Sequence, residues 1–386
     1  MSAKERAERR IAELSTRGLD VVSFWRACTE ALEPAVPHYL GPCWYTLDPA
    51  TLLVTSHFQE GIPEIPHEWL AQEYYEDDVN KIADVARSEW AVATLHDATG
   101  GDPTRSPRYL RDMVPYGGDQ ELIAALRTPS GEAWGCVGLY REPDRPLFDA
   151  EDQAFMRTVA SHLAEGARRA LLIGEAVDPD LPDPPGLVVL DADWSVVSMT
   201  PGTGEWLDQL PDGDLRAGTL PAAVRSVAGR AARIHEGGAA PGEVAMARVL
   251  SRSGRWIVLH GVVLASDGPA RVAVIVEPAH PARIIPLLMA AFQLSEREQD
   301  VTHLVLQGCS TSEIADRLFI SAHTVQQHLK AIFEKTGVRS RRDLVGSVFF
   351  GHYEPRVRDN ERRATAGNPL RGGPLPAARP TSVGPA

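Results

Sequence analysis

Within residues 294–349 the chain repeats one start signal for a helix three times. Ser295-Glu296-Arg297-Glu298, Ser310-Thr311-Ser312-Glu313 and Ser340-Arg341-Arg342-Asp343 each set a serine where its hydroxyl can accept an orphan backbone N–H. Each also sets an acid three residues on that can return the bond. Gly308 and Gly337 follow apolar runs at the places where a chain leaving a helix takes a positive φ, which glycine adopts at least cost. Such closely spaced starts and stops predict four short helices and exclude strands from this stretch.

Inside these limits the apolar residues recur at helical spacing: Val301, Leu304 and Val305, then Ile314, Ala315 and Leu318, then Val325, Leu329, Ile332 and Phe333. One small core can hold all three stripes. Only Phe319-Ile320-Ser321 separates the second helix from the third, so the two are expected to meet at a steep angle as a helix-turn-helix. The third helix then has a spare face bearing His323, Gln326, Gln327 and Lys330, opposite Val325, Leu329 and Ile332. Glutamine carries the donor and acceptor pair that matches the major-groove edge of adenine, and lysine can donate to guanine or to phosphate. For a lone helix the plainer reading, a solvated polar face, has the better claim. Here turn, caps and face coincide, and double-stranded DNA is the expected partner.

The stretch LSEREQDVTHLVLQGCSTSEIADRLFISAHTVQQHLKAIFEKTGVRSRRDLV, Leu294 to Val345, resembles the DNA-binding domain of LuxR-type (NarL/FixJ-like) transcriptional regulators. The resemblance implies an all-α four-helix domain, 293–355, whose third helix enters the major groove and whose fourth supports dimerisation. Carried over by position, it makes Gln326, Gln327 and Lys330 base-facing and sets His323, Thr324 and His328 toward the phosphate backbone. Gln326 stands where many relatives carry lysine. A homodimer is expected through Val345, Val348 and Phe349 on the last helix, unless these residues only finish the domain core. RNA polymerase is a further candidate partner that such regulators imply.

At 386 residues the chain exceeds one ordinary domain. Its formal charge of −13 is unevenly spread: residues 290–350 hold seven Lys/Arg and seven Asp/Glu, while 26 basic against 42 acidic residues leave −16 on residues 1–289. Phosphate contact depends on the local face, so an acidic N-terminal half does not conflict with DNA binding. No apolar run approaches the roughly eighteen residues of a membrane span, and the opening MSAKERAERRIAEL is a charged amphipathic helix without an apolar signal core, which predicts a cytoplasmic protein with no membrane partner. Cys28, Cys43, Cys136 and Cys309 lie far apart, form no C-x-x-C pair and read as buried free thiols.

The acidic, proline-rich stretch 176–185 and the Glu277-Pro-Ala-His-Pro281 stop divide what precedes the helices into domains at 1–175 and 186–280, with a connector helix at 281–292. Residues 356–386, rich in Pro, Gly and Ala, read as a disordered tail. In the first domain two helices precede strand-like Cys43–Leu47 and Leu52–Phe58; the hairpin Leu122–Arg127 with Ala133–Tyr140 follows, then a helix to about Leu172. This order, closed by GCVGLYR and LFDAEDQAFMRTVASHLA, resembles a GAF domain, an α+β fold. The second domain, also α+β, runs two strands, helices, then three strands, and GLVVLDADWSVVSMTPGTGEWL resembles the opening of a PAS domain. Both folds bury small ligands or dimerise, so neither decides what is sensed.

No phosphate-cradling loop, H-E-x-x-H or G-x-S-x-G occurs, and Gly100-Gly101 and Gly117-Gly118 are too short to cradle phosphate. His57, His96 and His162 are isolated, so no metal site is expected. A receiver domain would need a late lysine, yet Lys4 and Lys81 are the only lysines before Lys330. The chain is therefore expected to be a one-component transcriptional regulator rather than an enzyme. The competing reading is a regulator whose sensor folds bind no small molecule and answer to a partner protein. The cofactor, if there is one, cannot be read from these residues.

Overall fold

The computed structural model describes residues 1–60, 68–171, 185–264, 270–279 and 281–345. The expected linker (Pro185 apart), the tail, Val348 and Phe349 lie outside the described residues. The chain divides into two compact units, one of Met1–Pro278 with Met289–Gln293, the other of Ala279–Leu288 with the residues from Leu294 onward.

The first unit contains two antiparallel sheets. Strands β1 (Tyr39–Leu47), β2 (Val54–Phe58), β3 (Val92–Thr94), β4 (Gln120–Arg127) and β5 (Ala133–Arg141) run in the order β2-β1-β5-β4-β3. Asp48 makes the β1–β2 turn, its carboxylate accepting the Ala50 N–H at 3.0 Å, and Gly131 turns β4 into β5 with φ +101°. Alternation along β1 sends neighbouring side chains to opposite faces. On one side Trp44 stacks on Trp25 with ring centroids 4.5 Å apart, under helices α1 (Ala3–Leu14), α2 (Val21–Leu32) and, after three more, α6 (Ala150–Ala170). On the other, Cys43, Tyr45 and Leu47 meet the residues of α3 (Trp69–Tyr75) and α4 (Ile82–Arg87). After α5 (Leu95–Thr99), three short helical turns over 103–116 lead into β4. Sequence reading assigned nothing between Phe58 and Leu122: these helices have five to seven residues, too short for a clear helical period.

The second sheet holds β6 (Gly186–Leu190), β7 (Val196–Met199), β8 (Met246–Leu250), β9 (Trp256–Leu264) and β10 (Arg271–Pro278) in the order β7-β6-β10-β9-β8, with α7 (Thr203–Asp208) and α8 (Ala222–His235). The two sheets are not independently cored. Helix α8 packs on β9 of its own sheet and on α3 and β2 of the first, so Tyr45, Val54 and Tyr74 belong to one apolar cluster with Val224, Val227 and Leu259. Gly229 makes the approach possible: a Cβ there would stand 2.0 Å from the Ala71 carbonyl oxygen. Two acids stitch the same boundary. Fully buried Asp48 accepts the Arg248 backbone N–H at 2.9 Å and its Nε at 2.8 Å, and Asp212 accepts the backbone N–H groups of His57 and Ala222. Burial raises the Asp212 carboxyl to about 6 and lowers His57, whose Nε2 has no partner, to about 4.

The four cysteines are buried free thiols, and burial raises Cys43 to about 12, far from the thiolate a redox sensor requires. The described residues include no cluster of ligands for a metal ion and no helix long and apolar enough to cross a membrane.

The second unit is helical: α9 (Pro281–Ala291), whose last residues are counted with the first unit, then α10 (Glu296–Leu306), α11 (Thr311–Leu318), α12 (Ala322–Thr336) and a short helix over 341–345. In α9, Ile284, Leu287, Leu288 and Met289 are buried and Ile285 is half-buried.

Candidate nucleic-acid interface

Two of the three capping boxes form in full. Ser295 Oγ accepts the Glu298 N–H while a Glu298 oxygen accepts the Ser295 N–H at 2.7 Å, and Ser310 and Glu313 repeat the pattern. The third is half a box. Asp343 N–H reaches Ser340 Oγ at 3.0 Å, but an aspartate is one methylene shorter than a glutamate, and no return bond forms among the described residues. Glu298 also receives Lys335 Nζ at 2.6 Å, which ties the start of α10 to the end of α12. Burial acts to raise the Glu298 carboxyl, but the bonds from Lys335 and Ser295 prevail and hold it below the usual value.

Val301, Val305, Ile314, Val325, Leu329, Ile332 and Leu344 are buried and form the small core. Gly308, at φ +83°, ends α10, with Cys309 N–H returning to the Leu304 carbonyl. The α11 stop falls after Leu318, as the three-residue turn required, but the backbone conformation that makes it carries no residue signal. Phe319 takes the same left-handed conformation, at φ +56°, and Ile320 N–H returns to Ala315 O at 3.0 Å. A residue with a Cβ pays roughly 1–2 kcal/mol for this backbone, and the Phe319 side chain is 94% exposed besides. Only its place three residues before the Ala322 start of α12, where a helix must already have ended, could have flagged it.

Ser321 caps α12, accepting the Thr324 N–H at 3.0 Å, and the two hydroxyls lie 2.8 Å apart. With α12 so started, Val325, Leu329 and Ile332 turn to the core, while His323, Gln326, Gln327 and Lys330 stand exposed. Gln327 Nε2 is 3.2 Å from His323 Nε2, and Gln326 makes only a long 3.4 Å contact with Thr311. Lys330 Nζ is 4.0 Å from Glu334 with both side chains largely in solvent, a pairing too weak to hold the ammonium from another anion. Thr324 and His328 are half-buried on the flanks. Thr324 is thus engaged in its own cap, a second use beside the backbone role that the sequence resemblance implied. Val345 is half-buried at the end of the described residues; Val348 and Phe349 lie beyond them.

The exposed face presents amide groups able to donate and accept side by side and one ammonium, and Arg339 and Arg342 add exposed positive charge after α12. These groups suit base edges and phosphates.

Comparison with known proteins agrees with this geometry. Residues 293–348 match the family described as bacterial regulatory proteins, luxR family, and form a LuxR-type helix-turn-helix domain. A protein of Mycobacterium bovis, provisionally named an HTH-type transcriptional regulator, is 48% identical over 52 residues, 14% of this chain and 6% of its own length. The HTH-type transcriptional regulator MalT of Klebsiella pneumoniae is 35% identical over 66 residues, 17% of this chain and 7% of its own. The chain therefore matches only a small part of each relative. Among solved structures, the phage VqmA–DPO complex overlaps 45% of this chain and 85% of its own at 18% identity and a TM-score of 0.22.

Proposed function

We propose that this chain is a one-component transcriptional regulator that binds specific double-stranded DNA through α12 as a homodimer, with its two sheet domains, GAF-like and PAS-like, serving as the sensor half. One observation carries the reading: Gln326, Gln327 and Lys330 share the exposed face of a capped helix that follows a tight turn, within a domain of the LuxR type. Dimeric binding follows from reach. One such domain covers a few base pairs, and two related by a twofold axis would read half-sites about 34–36 Å apart. RNA polymerase is the natural further partner of such a protein, and the buried apolar face of α9 is the segment through which the sensor half would set DNA affinity.

The test starts from sites mapped across the genome. Gln327→Ala and Lys330→Ala should each weaken operator binding by about 1–3 kcal/mol while circular dichroism stays unchanged. Footprinting should show an inverted repeat. If both variants bind the operator like the parent at one salt concentration, α12 is not the reading element.

A further inference from the structure

The first sheet domain holds a half-open cavity of about 70 Å³ that the DNA reading leaves unused. A single water needs roughly 10–15 Å³ on this measure, so the space suits a small organic molecule. Five aromatic side chains line it: Tyr39 and Tyr45 from β1, Trp69 from α3, Tyr116 before β4 and Tyr140 from β5. They are scattered over about a hundred residues, and only the fold brings them together.

Three charged groups share the lining, Arg108, Asp112 and Glu121, and with the partners bonded to them the acids Glu76, Asp78, Asp112 and Glu121 outnumber the bases Arg108 and Arg111. Arg108 is held between two carboxylates, although its buried Nε makes no hydrogen bond. Its Nη1 and Nη2 donate to the two Glu121 oxygens at 2.7 Å each, Nη2 also reaches the Val79 carbonyl, and Nε lies 3.4 Å from Asp78. The buried Asp112 carboxylate is met from outside by Arg111 at 2.9 Å. The Tyr45 hydroxyl is a different case. It is buried in the wall beside the Cys43 thiol, a weak partner at best, and makes no full hydrogen bond. A buried hydroxyl left unpaired costs about 1–3 kcal/mol, which a ligand atom would recover.

We propose that this cavity binds a small organic cation, a quaternary or protonated amine of about the size of choline, its charge met by the aromatic walls and the acid excess and its polar end by Tyr45 Oη. Aromatic walls attract such cations through the ring quadrupole, and an ammonium without bulk water gains most from them. A carboxylate or phosphate would meet the acid excess with no free guanidinium to hold it. A neutral apolar molecule would leave both Tyr45 Oη and the excess charge unanswered. This inference concerns the first domain alone and does not depend on the DNA reading.

The test is calorimetry on the full chain with three molecules of one shape: choline, its neutral isostere 3,3-dimethyl-1-butanol, and 3,3-dimethylbutanoate. Choline should bind at least about ten-fold more tightly than the neutral isostere, and the carboxylate should not bind. Asp112→Asn should cut choline affinity several-fold and leave the isostere unchanged, and Tyr45→Phe, which keeps the ring, should also weaken choline. Equal binding of choline and the isostere, preference for the carboxylate, or no heat from any of the three at millimolar concentration overturns the proposal.

Discussion

The helix-turn-helix unit and the two-sheet unit are held together by contacts of opposite reach. In the first, the decisive bonds join residues three to five apart: Ser295 with Glu298, Ser310 with Glu313, Ile320 with Ala315. In the second, they join Asp48 with Arg248 and seat Gly229 against Ala71. Local bonds survive as patterns in the order of residues, whereas distant ones leave no such trace, and the two units should also fail differently when damaged.

The largest effect is expected at the buried ion pair. Arg248→Ala leaves Asp48 charged in a dry boundary and should destabilise the two-sheet unit by about 3–5 kcal/mol. All eight tryptophans lie at or before residue 256, so tryptophan fluorescence during urea unfolding reports that unit alone. Gly229→Leu forces α8 off α3 and should cost at least about 1–3 kcal/mol in the same measurement. If either variant unfolds like the parent, the two sheets do not depend on each other.

A third experiment sharpens the comparison through pH. Asp212 has a raised folded value, so the stability it lends is present below about 3.8 and lost as pH rises through about 6. His57 has a lowered one, so its contribution falls as pH drops from about 6.5 to about 4. The two slopes oppose across the same window. Relative to the parent, Asp212→Asn should become more stable with rising pH between 4 and 6, and His57→Gln less stable, by ~1–3 kcal/mol across the window. Parallel pH profiles for parent and both variants would count against this assignment. The smallest effect is local: Ser310→Ala removes one cap and should cost about 1 kcal/mol in the helix-turn-helix unit, read by circular dichroism after the two-sheet unit has been tracked separately by fluorescence.

The same contrast explains what could be read in advance. The strands Cys43–Leu47, Leu52–Phe58, Leu122–Arg127 and Ala133–Tyr140 and the end of α6 were placed to within a few residues, because alternation and turn residues are neighbours in sequence. In the candidate interface, the exposed set on α12 and its buried stripe followed from helical period alone. Phe319 did not, because a left-handed stop without glycine or asparagine carries no residue signature. Asp48 lies in the short gap between two predicted strands and makes their turn, but nothing nearby announces its bond to a residue 200 positions away. Gly229 stands inside α8, and nothing around it in the sequence marks it as the contact point with α3. The acidic stretch 176–185 pointed to a boundary between domains, while the apolar cluster runs on from one sheet into the other.

That continuous cluster has a thermodynamic consequence. Two sheets that share one core have no separate melting points, so they exchange between folded and unfolded forms as a single cooperative body. Whatever binds the folded form in one of them raises the apparent stability of both, by RT ln(1 + [L]/Kd), whether or not any atom of the second sheet moves. Occupancy of the first domain is then registered across the whole two-sheet body by mass action, as a shift in its folded population.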